Sequence, residues 1–293
     1  MKVTLIGTGL MGSPMGERVL AAGYHLTVFN RSREKAELLR SSGAEIAATA
    51  AEAINSAECV ILMLADGVAI REVLFNEDPK PDLGRRTVIQ MGTISPADSL
   101  AIEKKVLGQG GEYLEAPVLG SIPEASAGKL LIMVGASKQQ FDKWLTLLEC
   151  FGSKPLLIGE VGKAAAVKLA LNQLIASLTV GFASSLGLVQ SLGIEVELFM
   201  KILRRSALHA PIFDKKLMLM LDRDYGIGNF PSKHLLKDVA LFSAAAQTAN
   251  LETIGIEAIH RLLEITLEKG YADGDYSALF EAVSPLRQQA GGS

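Results

Sequence analysis

The chain has 293 residues, of which 49% are hydrophobic and 21% charged, and its formal net charge is −3. This length is enough for one large or two medium hydrophobic cores. The charge excludes the strongly basic class of nucleic-acid-binding proteins, and no polybasic run indicates a membrane-surface protein.

Cysteine and histidine usage predicts neither a disulfide framework nor a metal site. Cys59 and Cys150 lie in apolar surroundings far apart in sequence, as reduced core thiols of an intracellular protein do. The four histidines are scattered without metal-ligand spacing. Met1 and Lys2 lead into an apolar run too short for a signal peptide, so we expect a cytoplasmic protein.

Strand-like and helix-like segments alternate from residue 1 to about residue 160. Helical patterns at residues 13–22 and 33–41 are followed by Gly23 and Gly43. The alternation predicts an α/β domain with a mostly parallel, doubly wound sheet covered by helices on both faces. The apolar runs typical of strands lie at residues 3–6, 25–29, 59–64, 87–91, 130–134 and 155–158.

Beyond about residue 160 the strand signals stop, and apolar residues recur at intervals of three and four. This pattern predicts an all-α domain over residues 161–293 that begins with a long helix joining the two domains. The expected helices cover residues 161–192, 195–206, 215–221, 233–249 and 253–269. Only the tail, residues 288–293, is expected to be disordered.

The stretch from residue 169 to residue 194 carries no charge and is long enough to span a bilayer. It contains many Asn, Gln, Ser and Thr side chains and lacks flanking aromatic belts. We therefore predict a helix buried in a soluble protein rather than a membrane span.

A glycine-rich loop follows the first predicted strand and opens the first predicted helix. In this context the glycines permit a tight turn and close backbone approach to a dinucleotide pyrophosphate, although an ordinary glycine turn is the alternative. The predicted cofactor-binding loop consists of Gly7, Thr8, Gly9, Leu10, Met11 and Gly12.

The end of the second predicted strand bears on the choice of cofactor. An NAD-binding site places an acidic residue there for the ribose diol, but this chain has Asn30, followed by Arg31 and Ser32. Asn30 does not repel a 2′-phosphate, and Arg31 can pair with it, unless Arg31 is only a solvated surface residue. The sequence thus predicts a preference for NADPH.

Lys168 and Asn172 lie four residues apart, so on a helix they project from the same face. Their neighbours are almost all apolar or small. A lysine in such a helix is costly to bury without a partner or a task, although it could extend its charged end to solvent. We interpret Lys168 as the acid of a hydride-transfer site.

Several motifs in the same order resemble those of the β-hydroxyacid dehydrogenase family, which includes the 3-hydroxyisobutyrate dehydrogenases, and most closely the glyoxylate/succinic semialdehyde reductases. The resemblance implies a Rossmann domain over residues 1–160, an interdomain helix over 161–192, and a homodimer or homotetramer. The motifs lie at residues 7–12, 92–96, 115–121, 159–172, 230–238 and 273–278.

The resemblance also implies the chemistry: NADPH-dependent reduction of small carboxylated aldehydes, glyoxylate and succinic semialdehyde, to hydroxy acids. Lys168 would donate the proton and Asn172 would hold the lysine or the substrate. Beyond the glycine loop and residues 30–32, the implied cofactor contacts are Met63, Leu64, Thr93 and Lys237. The implied substrate contacts are Gly120, Ser121, Thr93 and Phe230.

The chain departs from the family pattern at Gly92, Leu119 and Ser121, which leaves the substrate open more than the reaction type. 3-Hydroxyisobutyrate or tartronate semialdehyde chemistry and a non-catalytic NADP-binding scaffold therefore stay as alternatives. Imine reductases usually carry Asp or Tyr at the position of Lys168, which disfavours that class. Ser121 could serve only as a turn residue, Lys237 could be a paired surface lysine, and Phe230 could belong to the core.

Overall fold

The structure is a computed structural model that describes residues 1–226 and 228–285. The chain divides into two compact units, Met1–Leu169 and Ala170 onward. The predicted disordered tail, residues 288–293, lies outside the described residues.

The first unit is built on a single nine-stranded sheet, and its core strands are parallel. The order is β3-β2-β1-β4-β5-β6-β8-β7, with β9 paired to β8. Pairing is parallel from β3 through to β6, whereas β8 runs antiparallel to β6 and β7. The strands are β1 (Lys2–Ile6), β2 (His25–Phe29), β3 (Glu45–Ile46), β4 (Cys59–Leu62), β5 (Thr87–Gln90), β6 (Glu112–Glu115), β7 (Val118–Leu119), β8 (Leu131–Gly135) and β9 (Leu156–Gly159).

Helices cover both faces of this sheet, since alternate residues of one strand enter opposite cores. Leu5 and Ile61 belong to one hydrophobic cluster, whereas Ile6 and Leu62 belong to the other. The predicted Rossmann-type sheet is thereby confirmed. The helices of this unit are α1 (Gly12–Ala21), α2 (Arg33–Glu37), α3 (Ala50–Asn55), α4 (Gly67–Arg71), α5 (Pro96–Gly108), α6 (Ile122–Ser126) and α7 (Lys138–Leu148).

One predicted helix in this unit was wrong in length. We expected it to span residues 33–41, but α2 ends at Glu37. The next residues form tight turns, in which Leu39 N–H donates to the Ala36 carbonyl and Arg40 N–H to the Glu37 carbonyl, both at 3.0 Å. These i to i−3 hydrogen bonds replace the α-helical pattern before Gly43.

Helix α8 (Lys163–Ser191) is continuous for 29 residues, and the boundary between the two units falls within it. By length and composition alone it could cross a bilayer, with a mean hydropathy of 1.5, a property that core helices of soluble proteins share. The predicted burial holds for one face only. Ala176, Phe182 and Leu186 are buried, whereas Leu188 is 61% exposed.

The second unit is helical, as predicted, over its described residues. Its core clusters around side chains such as Phe182, Met220, Leu235 and Phe280. Phe182 stacks on Phe213 with ring centroids 4.8 Å apart. After α8 the helices are α9 (Val196–Arg204), α10 (Pro211–Asp222), α11 (Ser232–Thr248), α12 (Ile254–Glu268) and α13 (Phe280–Val283).

Candidate active site

The glycine loop lies where the strand order reverses, between β1 and β4. Gly7 has a φ of +97°, and a Cβ there would lie 2.3 Å from the Met63 carbonyl oxygen that follows β4. A Cβ on Gly12 would lie 1.9 Å from the Gly7 carbonyl oxygen. Only glycine therefore allows α1 to start this close to the end of β1.

The same loop presents groups that suit a pyrophosphate. Helix α1 begins without a side-chain cap, and the positive end of its dipole lies at this loop. Its Ser13 N–H already donates to the Gly9 carbonyl at 3.0 Å. The space beside the Gly9 α-carbon is open to 4 Å. The Thr8 hydroxyl is buried and lacks a hydrogen-bond partner within the described part of the chain. These features fit a dinucleotide, which would hydrogen-bond to these groups.

Asn30 is tied to the glycine loop by its side chain. Its Oδ1 accepts a hydrogen bond from Thr8 N–H at 3.0 Å, and its Nδ2 donates to the Ser32 carbonyl at 2.9 Å. Arg31 and Ser32 are exposed at the end of β2. The structure thus brings Thr8, Asn30 and Arg31 together at the same edge of the sheet.

Gly92 lies in a turn that has no room for a side chain. A Cβ at residue 92 would lie 2.5 Å from the Leu64 carbonyl oxygen. Gly92 N–H also donates to Gln90 Oε1, and Gln90 Nε2 donates back to the Gly92 carbonyl at 3.1 Å. The half-buried Thr93 follows this compact turn. Because Gly92 lies so close to Leu64, the loops after β4 and β5 lie side by side.

The loop expected to hold the substrate also contains an acid, Glu124, that was not among the predicted site residues. Ser121 N–H and the Ser121 hydroxyl donate to Glu124 Oε2 at 2.8 and 2.6 Å, which caps α6. Gly120, with φ +141°, lies against the Glu124 side chain, because a Cβ there would be 3.0 Å from Glu124 Cβ. The Ser121 donors expected to bind a substrate carboxylate already bind one from the protein. The capping-box spacing Ser121-x-x-Glu124 could have revealed this.

Lys168 lies in the second turn of α8 and is only 7% exposed. It shares a face with Ala164 and Ala165, which are also buried. The alternative in which Lys168 simply extends to solvent is therefore wrong. A buried ammonium group is costly, which is consistent with a chemical task.

Asn172 is one helical turn further along α8 and is 2% exposed. Its Nδ2 donates to Asp238 Oδ2 at 2.6 Å, and Lys237 Nζ lies 3.0 Å from Asp238 Oδ1. Buried Asp238 thus joins two predicted site residues within the helical unit. Asp238 falls within the motif at residues 230–238, but its residue type alone indicated no role.

Phe230 contributes partly to the helical core. It is half-buried and meets Tyr276 edge to face, with ring centroids 5.6 Å apart. The closing motif near it is structural, because Asp275 binds Lys216 Nζ at 2.7 Å and caps Ser277 N–H at 3.0 Å.

Within the described residues no group of three or more His, Cys, Asp or Glu side chains could hold a metal ion.

Comparisons with known proteins agree with this arrangement. Residues 2–159 match the family profile described as the NAD-binding domain of 6-phosphogluconate dehydrogenase. Residues 162–283 match the profile described as the NAD-binding domain of NADP-dependent 3-hydroxyisobutyrate dehydrogenase. The chain belongs to the 3-hydroxyisobutyrate dehydrogenase family.

Two full-length relatives of this family member illustrate its range. It is 30% identical to glyoxylate/succinic semialdehyde reductase 1 of Arabidopsis thaliana, over 98% of this chain and 100% of the relative. It is also 30% identical to the NAD-dependent L-serine dehydrogenase of Pseudomonas aeruginosa, over 98% of this chain and 99% of the relative. The protein is an NAD(P)-dependent oxidoreductase of the hydroxyacid dehydrogenase type.

The fold of this family member is shared with a solved structure. The 3-hydroxyisobutyrate dehydrogenase of Mycobacterium tuberculosis with L-serine superposes with a TM-score of 0.87 at 22% identity, covering 96% of this chain and 98% of the other. This likeness confirms the predicted order of sheet domain, long helix and helical domain.

Proposed function

We propose that this protein is an NADPH-dependent reductase of small carboxylated aldehydes, with glyoxylate and succinic semialdehyde as the first candidate substrates. The observation that carries the proposal is the burial of Lys168, 7% exposed on α8, in a chain whose α1 begins at a glycine loop suited to a dinucleotide. The two substrates in the name of the Arabidopsis reductase belong to this substrate class.

The proposed chemistry needs a proton donor, because negative charge grows on the carbonyl oxygen as hydride adds to carbon. NADPH, when bound, supplies the hydride and leaves as NADP⁺. Lys168 Nζ gives its proton to that oxygen, so the aldehyde becomes a primary alcohol. Asn172, held by Asp238, keeps the lysine or the substrate oriented.

The cofactor preference in this proposal rests on the end of β2. Asn30 takes the place of the acidic residue that would bind the NAD ribose, and its hydrogen bonds fix it to the glycine loop. Exposed Arg31 offers a planar cation for a 2′-phosphate. Lys237 is a further proposed cofactor contact, as are Met63, Leu64 and Thr93.

Oxidation of L-serine or 3-hydroxyisobutyrate is the second candidate, because the Pseudomonas relative is named for NAD and L-serine. Leu119, where the chain departs from the family pattern, and the Glu124 carboxylate both alter the proposed substrate loop. The altered loop is therefore compatible with this second reaction. The same lysine would then accept a proton from the hydroxyl group instead of donating one.

Initial rates separate these candidates. We would measure kcat/KM for glyoxylate, succinic semialdehyde and methylglyoxal with NADPH and NADH, and for L-serine and 3-hydroxyisobutyrate with the oxidised cofactors. The proposal expects the carboxylated aldehydes with NADPH to give the highest values. Absence of turnover across the panel would favour a non-catalytic NADP-binding scaffold.

Lys168→Ala tests the proposed acid directly. We expect kcat for the best aldehyde to fall by about a hundredfold or more, which is the usual contribution of a general acid. The NADPH dissociation constant, measured by fluorescence titration, should change by less than about threefold, which corresponds to about 0.65 kcal/mol. A fully active Lys168→Ala enzyme would refute the mechanism.

A further inference from the structure

Glu115 is a buried acid that the proposed chemistry does not use. It lies at the end of β6 and is 1% exposed. A carboxyl group at this depth costs free energy unless several donors satisfy it, so its partners indicate what it is for.

The main partners of Glu115 are backbone amides at the start of α8, one just before the helix and one in its first turn. Glu115 Oε1 accepts hydrogen bonds from Gly162 N–H at 2.8 Å and from Ala165 N–H at 3.0 Å. Its other oxygen accepts from the Ser99 hydroxyl, which also lies 2.9 Å from Tyr113 Oη. A strand residue of the sheet therefore holds the amino end of the helix that carries Lys168.

The sheet leaves room for this carboxyl group. Gly135 is the cross-strand neighbour of Glu115 in the β6–β8 pair. A Cβ at residue 135 would lie 2.5 Å from Glu115 Oε1. Even one methyl group there would displace the oxygen that binds both α8 amides.

The electrostatics agree with the geometry. Burial raises the pKa of the Glu115 carboxyl, whereas the hydrogen bonds from Ser99 and from the α8 amides oppose that rise. The carboxyl also lies at the positive end of the α8 dipole, where negative charge is favoured. Ionised or protonated, Oε1 can accept both amide hydrogen bonds.

Lys168 follows Ala165 by three residues, so it is about 4.5 Å further along the helix axis on a neighbouring part of the same face. Fixing the rotation of the first turn consequently fixes the direction of the Lys168 side chain. We propose that Glu115 is a positioning residue that aims Lys168 by anchoring the first turn of α8. This inference rests on the proposed role of Lys168.

The test compares four substitutions in the full-length protein. Glu115→Ala removes the acceptor, Glu115→Gln keeps it, and Gly135→Ala crowds it. Ile54→Ala is the control, because Ile54 is equally buried in the same unit but on α3, next to the loop that precedes β5. The Ile54→Ala variant loses core packing at the opposite ends of the strands. Its kcat and Lys168 labelling therefore report the effect of destabilisation alone.

We expect Glu115→Ala and Gly135→Ala to lower kcat at least about tenfold, because small misplacements of a reacting group are costly. The NADPH dissociation constant should stay within about twofold, which is under 0.5 kcal/mol. Glu115→Gln should recover most of kcat. Ile54→Ala should keep kcat at a temperature below its own unfolding transition.

A second measurement does not depend on turnover. Acylation of amines by a small reagent, mapped by mass spectrometry, reports how fast Lys168 reacts relative to an exposed lysine such as Lys138. Glu115→Ala should speed Lys168 labelling at least about fivefold, a shift of about 1 kcal/mol, and Ile54→Ala should not. If the wild type reduces nothing, this measurement alone decides the positioning inference. Unchanged labelling, or a kcat loss equal to that of Ile54→Ala, would overturn it.

Discussion

At the scale of single residues, Glu124 determines whether the donors of the proposed substrate loop are available to a substrate. Both Ser121 donors bind the Glu124 carboxylate, so a substrate carboxylate reaching them would meet a like charge. At short range in a partly buried site, such repulsion is worth about 1 kcal/mol or more. This loop is therefore less suited to binding an acidic substrate than the motif around Gly120 indicates.

The expected consequence can be measured with succinic semialdehyde and its methyl ester, which differ by one charge. Glu124→Gln keeps an acceptor for Ser121 and removes the charge. We expect it to raise the ratio of kcat/KM for the acid to kcat/KM for the ester by about tenfold, or about 1.4 kcal/mol. Ser121→Ala, which keeps Glu124 but removes the hydroxyl, is the control and should not raise that ratio. An unchanged ratio in Glu124→Gln would contradict the assignment.

Residue types alone singled out the glycine loop, Asn30 and Lys168 as candidates, because each stands out against its local pattern. They could not locate the partners of these residues. Glu115 and Asp238 read as ordinary acids in sequence, and only the register of β6 and the packing of α11 bring them to α8 and Asn172. Long-range pairing of this kind leaves no local signal in one sequence.

At the scale of elements, strands and helices with a clear apolar pattern were predictable, and those rich in polar or charged residues were not. β4 is buried at every position, and its sequence is a continuous apolar run. β5 is also buried throughout, with apolar Val88 and Ile89 between Thr87 and Gln90. β6 begins and ends with Glu, which hid it, although its pairing with β5 buries Glu115. Helix α5 was treated only as part of a loop motif, but Ser95 accepts from Asp98 N–H and Pro96 follows it, which starts a helix.

Helix α11 carries a partly buried histidine, His234, whose protonation is coupled to folding. Burial lowers the pKa of His234 below 6.5, and the neighbouring Lys237 and Lys233 lower it further, against the opposing effects of Asp238 and Asp273. Between that lowered value and 6.5 the unfolded chain binds more protons than the folded one. The stability that neutral His234 contributes is therefore present above pH 6.5 and lost as pH falls.

Chemical denaturation between pH 8 and pH 5 checks this. His234→Gln should reduce the loss of unfolding free energy in the helical unit as pH falls from 7 to 5. His25→Gln, which removes an exposed imidazole from β2, is the matched control and should leave the profile unchanged. A wild-type profile that His234→Gln does not flatten would contradict the assignment.

At the scale of the whole molecule, cofactor binding is coupled to the stability of the folded chain. The first unit binds the dinucleotide in this family, so cofactor binding should appear as stability of the chain before any substrate is known. A ligand that binds only the folded state at about one hundred times its Kd adds about 2.7 kcal/mol to the free energy of unfolding. That gain is independent of Lys168, which separates cofactor binding from catalysis.

Thermal unfolding with NADPH or NADH at equal concentration therefore tests cofactor choice in the intact protein. We expect the wild type to gain more from NADPH, because Asn30 carries no charge and Arg31 can pair with a 2′-phosphate. Asn30→Asp should reverse the order, since aspartate keeps the acceptor for Thr8 N–H and repels the phosphate. Arg31→Ala should reduce the stabilisation by NADPH without increasing the stabilisation by NADH.

Equal stabilisation of the wild type by NADPH and NADH would contradict the predicted NADPH preference. A gain from NADPH that persists in a protein without turnover on any aldehyde would identify a binding scaffold.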